Sequence, residues 1–362
     1  MIGVGIIGTG GIARTHLRGY SYLVDEGVRV VAVCDTISER AREFAAPIGA
    51  DVYQDYRELL ARQDVRIVSI CTPSFTHYEI SADALRAGKA VLCEKPVASS
   101  LRELDELSRL EQAYGGPFNS IFQYRYAPMF HGLRTLMEQG LTGRLLSVQV
   151  DVLWHRDEAY YSVPWRGKWA TELGGALTTL AIHSIDAMVA LAGPATRLAA
   201  EADTLNHDIE VEDTASITLR FASGAIGTIH ATSCNHTNIS QVRYIFEHCT
   251  ATSHLRPYDP YALPWTIESA SSEREQAIRE ALEKMELDRF PEQHDAQFID
   301  FVRCIRDGRR PPVTIEAIRP TFEVLTAIYK SADTHAFVEL PIAPDDPYYD
   351  GAARLHTAAA SS

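Results

Sequence analysis

A short apolar run, Val4-Gly5-Ile6-Ile7, leads straight into Gly8-Thr9-Gly10-Gly11-Ile12-Ala13, and a helical pattern follows from about Ile12 to Glu26. A strand, a G-x-G-x-x-G/A turn and a helix in that order form the setting in which such glycines hold a dinucleotide. Gly8 permits the tight turn, Gly10 lets the main chain approach a pyrophosphate, and Ala13 is small enough for helix to pack on strand. Gly11 and Ile12 complete the expected loop. Unpaired N–H groups and the positive end of the helix dipole would hold the phosphates. A glycine turn without a ligand is the plainer alternative, and the surrounding pattern weighs against it.

Asp35 ends a second apolar strand, Val28 to Cys34, roughly twenty residues beyond the glycines, where a carboxylate receives the adenosine ribose hydroxyls. Its charge would repel a 2′-phosphate, so NAD is preferred over NADP. Arg40 lies across a helix start and is the residue that would serve a 2′-phosphate instead; its plainer reading is a solvated helix position.

The pattern continues as alternating strand and helix. Ser38 through Ala46 repeats at helical spacing with Ser38 as N-cap, Arg66 to Cys71 is a strand, and Tyr78 to Ala87 is a helix stopped by Gly88. Ala90 to Cys93 is a strand, Leu101 to Tyr114 a helix and Phe118 to Phe122 the last strand. Strands apolar on both faces predict a parallel sheet covered on both sides. After about Tyr124 the character changes. His131 to Gly140 and Gly175 to Ala192 read as helices, and Arg144 to Val152 alternates like a half-solvated strand. Thr214 to Phe221 and Ala225 to Thr232 flank a Ser223-Gly224 hairpin, and Tyr244 to His248 is a further strand. Residues 253–272 read as irregular, and helices near 273–288, 293–307 and 315–334 close the pattern. The expected fold class is therefore an α/β Rossmann dinucleotide-binding domain (1–123) plus an α+β domain (124–340) with a large, mostly antiparallel, open-faced sheet. Residues 341–362 are expected to be a loose tail.

Composition narrows the partners. A net charge of −14 over 362 residues disfavours nucleic acid and anionic bilayers. The sequence opens without a basic, cleavable leader, and no apolar run approaches the ~20 residues of a membrane span. The six cysteines are scattered without metal-ligand spacing. They read as reduced, which together with the missing leader predicts a cytoplasmic protein without a metal.

Three further segments point to chemistry. Cys71-Thr72-Pro73-Ser74-Phe75-Thr76-His77 and Glu94-Lys95-Pro96 each follow a strand, at the carboxyl edge where ligands of such sheets bind. The third runs from Gly174-Gly175-Ala176 through Thr178-Thr179 to His183 and Asp186. With the N-terminal glycines, with Tyr124-Arg125-Tyr126, and with the stretch from Gln297-Phe298-Ile299 to Ser331-Ala332, these resemble the glucose–fructose oxidoreductase/inositol dehydrogenase (Gfo/Idh/MocA) family along nearly the whole chain.

That resemblance implies a nicotinamide-dependent oxidoreductase acting on a secondary alcohol. Lys95 is then the main acid/base, an ammonium whose pKa a neighbouring oxidised nicotinamide would depress. His183 assists at the substrate oxygen, and Glu94 orients Lys95 or contacts the ribose. Thr72, Pro73, His77, Glu94, Lys95 and Gln123 join Gly8, Gly10, Gly11, Ile12, Asp35 and Arg40 as expected cofactor residues. The family's aspartate four residues before the histidine is Thr179 here. A threonine hydroxyl can orient an oxygen but cannot carry charge as a carboxylate does, so simple inositol oxidation becomes less favoured. Thr179, His183 and Asp186 share one face of an ideal helix, with Asp186 as an anchor.

Trp154-His155-Arg156, Tyr160-Tyr161 and Trp165-Arg166-Gly167-Lys168-Trp169 precede this helix. Aromatic faces stack on sugar rings and cations bind hydroxyls or acidic substituents, so Tyr161, Trp165, Arg166 and Lys168 are expected at the substrate beside Thr179 and His183. Packing beneath the sheet is the plainer alternative. Two other functions remain open: an NAD-dependent glycoside-cleaving enzyme that oxidises transiently, and a dinucleotide-binding regulator without turnover. The open sheet face needs cover, and the resemblance implies that it pairs in a homodimer or homotetramer.

Overall fold

A computed structural model describes residues 1–289 and 293–360, arranged as two units. The first comprises Met1–Ile121 together with His294–Arg319. Its strands are β1 (Ile2–Ile7), β2 (Val28–Cys34), β3 (Asp51–Tyr53), β4 (Val65–Ile70), β5 (Ala90–Cys93) and β6 (Phe118–Ser120). They lie in the order β3-β2-β1-β4-β5-β6, and every pairing is parallel. β1 and β5 are buried along their whole length, as strands covered on both faces must be.

The first unit differs from expectation in three places. β3 and the helix Tyr56–Leu60 went unforeseen because each is too short to show a period. Ser38 is the first helical residue, with Ile37 at the N-cap and no side-chain cap; the Asp35 carboxylate takes the Ile37 amide instead, at 2.9 Å. The helix Gln293–Asp307, expected in the second domain, returns to the first unit from His294 onward. Its Phe298, Phe301 and Val302 are buried beside Ile2, Tyr20 and Leu23. Each buried phenylalanine contributes about 1.5–3 kcal/mol, enough to draw the segment back.

The second unit comprises Phe122–Gln293 and Pro320–Ser362. Its strands are β7 (Leu145–His155), β8 (Ala195–Asp203), β9 (Thr214–Phe221), β10 (Ile226–Thr232), β11 (Cys234–Phe246), β12 (Thr250–Ser253), β13 (Trp265–Glu268) and β14 (Val338–Glu339). The sheet order is β13-β12-β11-β7-β10-β9-β8-β14. β10 pairs with β7 in parallel, and the other neighbours are antiparallel. In β9 buried and exposed residues alternate, which leaves one sheet face open. β13 lies inside the stretch expected to be irregular.

Two further expectations need correction. The segment beyond Gly351 is a helix, Ala352–Ala360, and His356 stacks on Trp169 with ring centroids 4.2 Å apart and 9° between planes. Residues Trp169–Ala192 do form a run long and apolar enough to cross a membrane, but its most apolar stretch is 83% buried inside the unit. A core helix passes the same test of length and composition.

Candidate active site

The glycine turn is built as its sequence requires. Gly8 has φ +87°, and a Cβ there would lie 2.7 Å from the Cys71 carbonyl, so no larger residue fits. A Cβ on Gly10 or Gly11 would meet nothing within 4 Å, which leaves that side open. The helix Ala13–Ser21 has no side-chain cap. Among the described residues the amides of Gly10, Gly11 and Ile12 have no acceptor, a row of donors fitted to a pyrophosphate.

Asp35 stands at the end of β2, nearly buried. Its Oδ2 accepts the Thr9 amide at 2.9 Å and the Thr9 hydroxyl at 2.8 Å. Burial alone would raise its pKa, but the Ile37 and Thr9 donors and Arg40 hold it below the usual carboxylate range. Arg40 Nη1 lies 3.6 Å from this oxygen, so the guanidinium that could have served a 2′-phosphate faces Asp35 while remaining half exposed.

The two turns at the sheet edge are tied together. His77, buried, places Nε2 2.8 Å from the Thr72 carbonyl and Nδ1 2.7 Å from the Pro96 carbonyl. Both ring nitrogens therefore serve the scaffold of the Thr72-Pro73 and Lys95-Pro96 turns. The Thr72 hydroxyl accepts from Thr76 at 2.7 Å.

Glu94 ends a buried chain that no sequence pattern announced. The Tyr20 hydroxyl lies 2.7 Å from Ser69 Oγ, which is 3.1 Å from His16 Nδ1; His16 Nε2 is 3.1 Å from Glu94 Oε1. Burial pushes the Tyr20 pKa up, so that hydroxyl stays a donor. With Tyr20 donating to Ser69 and Ser69 to Nδ1, His16 carries its proton on Nε2 and donates to Glu94. Burial would raise the Glu94 pKa as well, but His16, His294 and Lys95 outweigh it and keep the group ionised. Its second oxygen accepts the Lys95 amide at 3.3 Å.

In the second unit, His183 lies in the helix Ile182–Ala192, almost buried, with its ring centroid 5.4 Å from Tyr124 and 5.8 Å from Phe122. The preceding turn, Leu177–Ala181, is a π-helix, so Thr179 and His183 are not stacked as in an ideal α-helix. The Thr179 hydroxyl donates to the Gly175 carbonyl at 2.7 Å. Asp186 accepts two bonds from Arg125, both 2.7 Å, and one from Thr321 at 2.8 Å, which makes it an anchor. Gln123 holds a buried Oε1 with no partner among the described residues.

Glu212 was missed by sequence reasoning. It accepts the Gly175 amide at 2.9 Å and the Leu177 amide at 3.0 Å, fixing the start of the His183 segment. Burial raises its pKa to about 7. Of the expected substrate residues, Tyr161 donates to Ser233 at 2.9 Å, and Trp165 lies 4.4 Å under the Arg166 guanidinium. Arg166 pairs with buried Glu172 at 3.0 Å, and Lys168 is exposed at a helix start. His207, Asp213 and Cys234 bring donor atoms within 4.8 Å of one another, a grouping that sequence spacing hides. Asp213 there accepts the Leu205, Asn206 and His207 amides.

Comparison with known proteins follows the same division. The family described as oxidoreductase family, NAD-binding Rossmann fold, matches residues 2–120, and the GFO/IDH/MocA C-terminal domain matches residues 130–249. An uncharacterized oxidoreductase of Synechocystis is 32% identical over 64% of this chain and 66% of its own length. Inositol 2-dehydrogenase of Gluconacetobacter diazotrophicus is 31% identical over 51% of this chain and 52% of its own length. The chain thus spans about half to two thirds of the curated relatives it matches. Among solved structures, the WlbA dehydrogenase of Bordetella pertussis, in complex with NADH and UDP-GlcNAcA, superposes with TM-score 0.84 at 26% identity, covering 94% of this chain and 99% of that one.

Proposed function

The chain belongs to the GFO/IDH/MocA oxidoreductases, and on that premise we propose that it moves a hydride between a secondary alcohol of a sugar, sugar derivative or polyol and NAD. The observation that carries this reading is the open row of amides at Gly10, Gly11 and Ile12 beside the ionised Asp35. Those groups would hold the pyrophosphate and the adenosine ribose, and Asp35, already paired to Arg40, disfavours a 2′-phosphate. Held there, NAD would supply the hydride acceptor for oxidation, and NADH the donor for reduction.

The chain's own residues handle the proton. Lys95 takes the hydroxyl proton at Nζ during oxidation and returns it to the carbonyl oxygen during reduction. Ionised Glu94 keeps the Lys95 turn in place. His183 donates a hydrogen bond to the reacting oxygen. Thr179 orients the substrate through oxygen lone pairs, its proton being engaged by Gly175. The relatives include a glucose-6-phosphate 3-dehydrogenase of Bacillus subtilis, 31% identical over half of each chain, and a sugar ring alcohol is the substrate class we favour here. The open sheet face and six free thiols support a cytoplasmic homo-oligomer.

A product-resolved sugar panel with NAD tests the reading. Absorbance at 340 nm should rise with at least one sugar and vanish in Lys95→Ala. Undiminished turnover in that variant would remove Lys95 from its role. Sugar release without net NADH would point instead to transient oxidation.

A further inference from the structure

Two guanidinium groups lie against the ring of Tyr160: Arg166 Cζ is 3.8 Å and Arg156 Cζ 4.9 Å from its centroid. One buried carboxylate answers them. Glu172, 1% exposed, pairs with Arg166. Among the described residues Arg156 makes no ion pair. Its Nη1 donates to the His155 carbonyl at 2.7 Å and, more loosely, to Asn238 Oδ1 at 3.4 Å, while Nε is buried without an acceptor. The Trp154 and Tyr258 rings complete its walls, at 5.0 and 6.0 Å. Asp157 follows in sequence, but its carboxylate accepts the Tyr160 amide at 2.9 Å and caps the next turn; Glu158 is exposed.

A half-buried cation faced with aromatic rings keeps only part of its hydration, and without a counter-ion it is costly. The overall charge of −14 makes an unanswered cation here the more unusual. The same wall reaches the His183 segment. Trp154 meets Tyr258 with centroids 4.7 Å apart, the Tyr258 carbonyl accepts the Tyr124 hydroxyl, and the Tyr124 ring abuts His183.

We propose that Arg156 is the anion-binding group of the substrate site, taking an oxyanion carried by the sugar: a ring carboxylate, or the phosphate of an esterified or nucleotide-linked sugar. The outer edge of the guanidinium would present paired N–H donors to that oxyanion, while the aromatic walls exclude water from it. This deepens the reading of the second unit as a sugar site, and rests on it.

The test is calorimetric binding to the full chain saturated with NADH, using glucose, glucuronate, glucose 6-phosphate and UDP-glucose as probes. At least one anionic probe should bind about tenfold or more tighter than glucose, as a charge-assisted pair implies. Arg156→Ala should erase that advantage, and Arg156→Lys should keep part of it. Arg243→Ala, which removes an equal charge from an exposed position of β11, should change nothing. Loss confined to glucuronate names the carboxylate as the source of the anion; loss confined to the other two names phosphate. If no anionic probe outbinds glucose in the wild type, or if Arg156→Ala matches it on all three, the assignment is wrong. Arg156-dependent binding without any NADH formed from NAD would remove the hydride-transfer reading and leave the anion site standing. Turnover of sugars with binding indifferent to Arg156 would do the reverse.

Discussion

His16 Nε2 lies 3.1 Å from Glu94 Oε1, joining the first helix of the nucleotide unit to the residue that precedes Lys95. Both side chains are nearly or fully buried, and the imidazole passes on the hydroxyls of Ser69 and Tyr20 behind it.

Replacing His16 with Phe strands Glu94 and Ser69 without their partner. A buried orphan costs about 1–3 kcal/mol, which in a chain this size lowers Tm by roughly 1–4 °C. Turnover should fall by about 10–100-fold through misplacement of Lys95. His16→Gln retains an N–H for Glu94 and should recover part of both. Wild-type kinetics in the Phe variant would detach this chain of hydrogen bonds from catalysis.

Asp35→Ala removes the acceptor from Thr9, Ile37 and Arg40 at once. Fluorescence titration should show NAD affinity reduced by about tenfold or more, with NADP closing the gap because Arg40 is released. An unchanged NAD/NADP ratio would mean that the ribose is held elsewhere.

Glu212 supplies a pH dependence with a definite sign. Its folded pKa is raised to about 7, so folding takes up a proton that the unfolded chain releases near 4.5. The stability it contributes is full below that lower value and is lost as pH rises through the upper one. The Tm difference between wild type and Glu212→Gln should therefore shrink between about pH 4.5 and 7. A constant difference across that window would show that Glu212 stays ionised throughout.

Removing residues 352–362 should lower Tm and brighten tryptophan emission, because the His356 ring that covers Trp169 leaves with them. Unchanged emission would mean that the stack does not persist in solution.

The nucleotide unit was legible where strands are apolar on both faces and where glycine has a single steric use, as at Gly8. What stayed hidden depends on distance along the chain. His16 is one helical histidine by sequence, and its meaning lies in partners 53 and 78 residues away. Glu212 likewise sits in an acidic run before β9 and shows its role only when it reaches back to Gly175. Arg166 is the converse case. A cation among aromatics suggested substrate contact, and burial of Glu172 beside it gave that charge an internal partner. The return of His294–Arg319 to the first unit could not be read from helical periodicity, which reports that a face is apolar but not which core receives it.

The wide turn at Leu177–Ala181 holds one residue more than an α-helix of the same rise would need. Deleting a single residue there would let the segment close into an α-helical turn, leaving the flanking segments in nearly the same orientation while the residues of the turn itself shift around the axis. Thr179, inside that turn, would then point elsewhere relative to His183 while the Gly174-Gly175 corner and the His183 helix kept their places. Length across those five positions is thus as much a part of the site as the side chains are, and a variant shortened by one should fold yet lose its grip on the substrate.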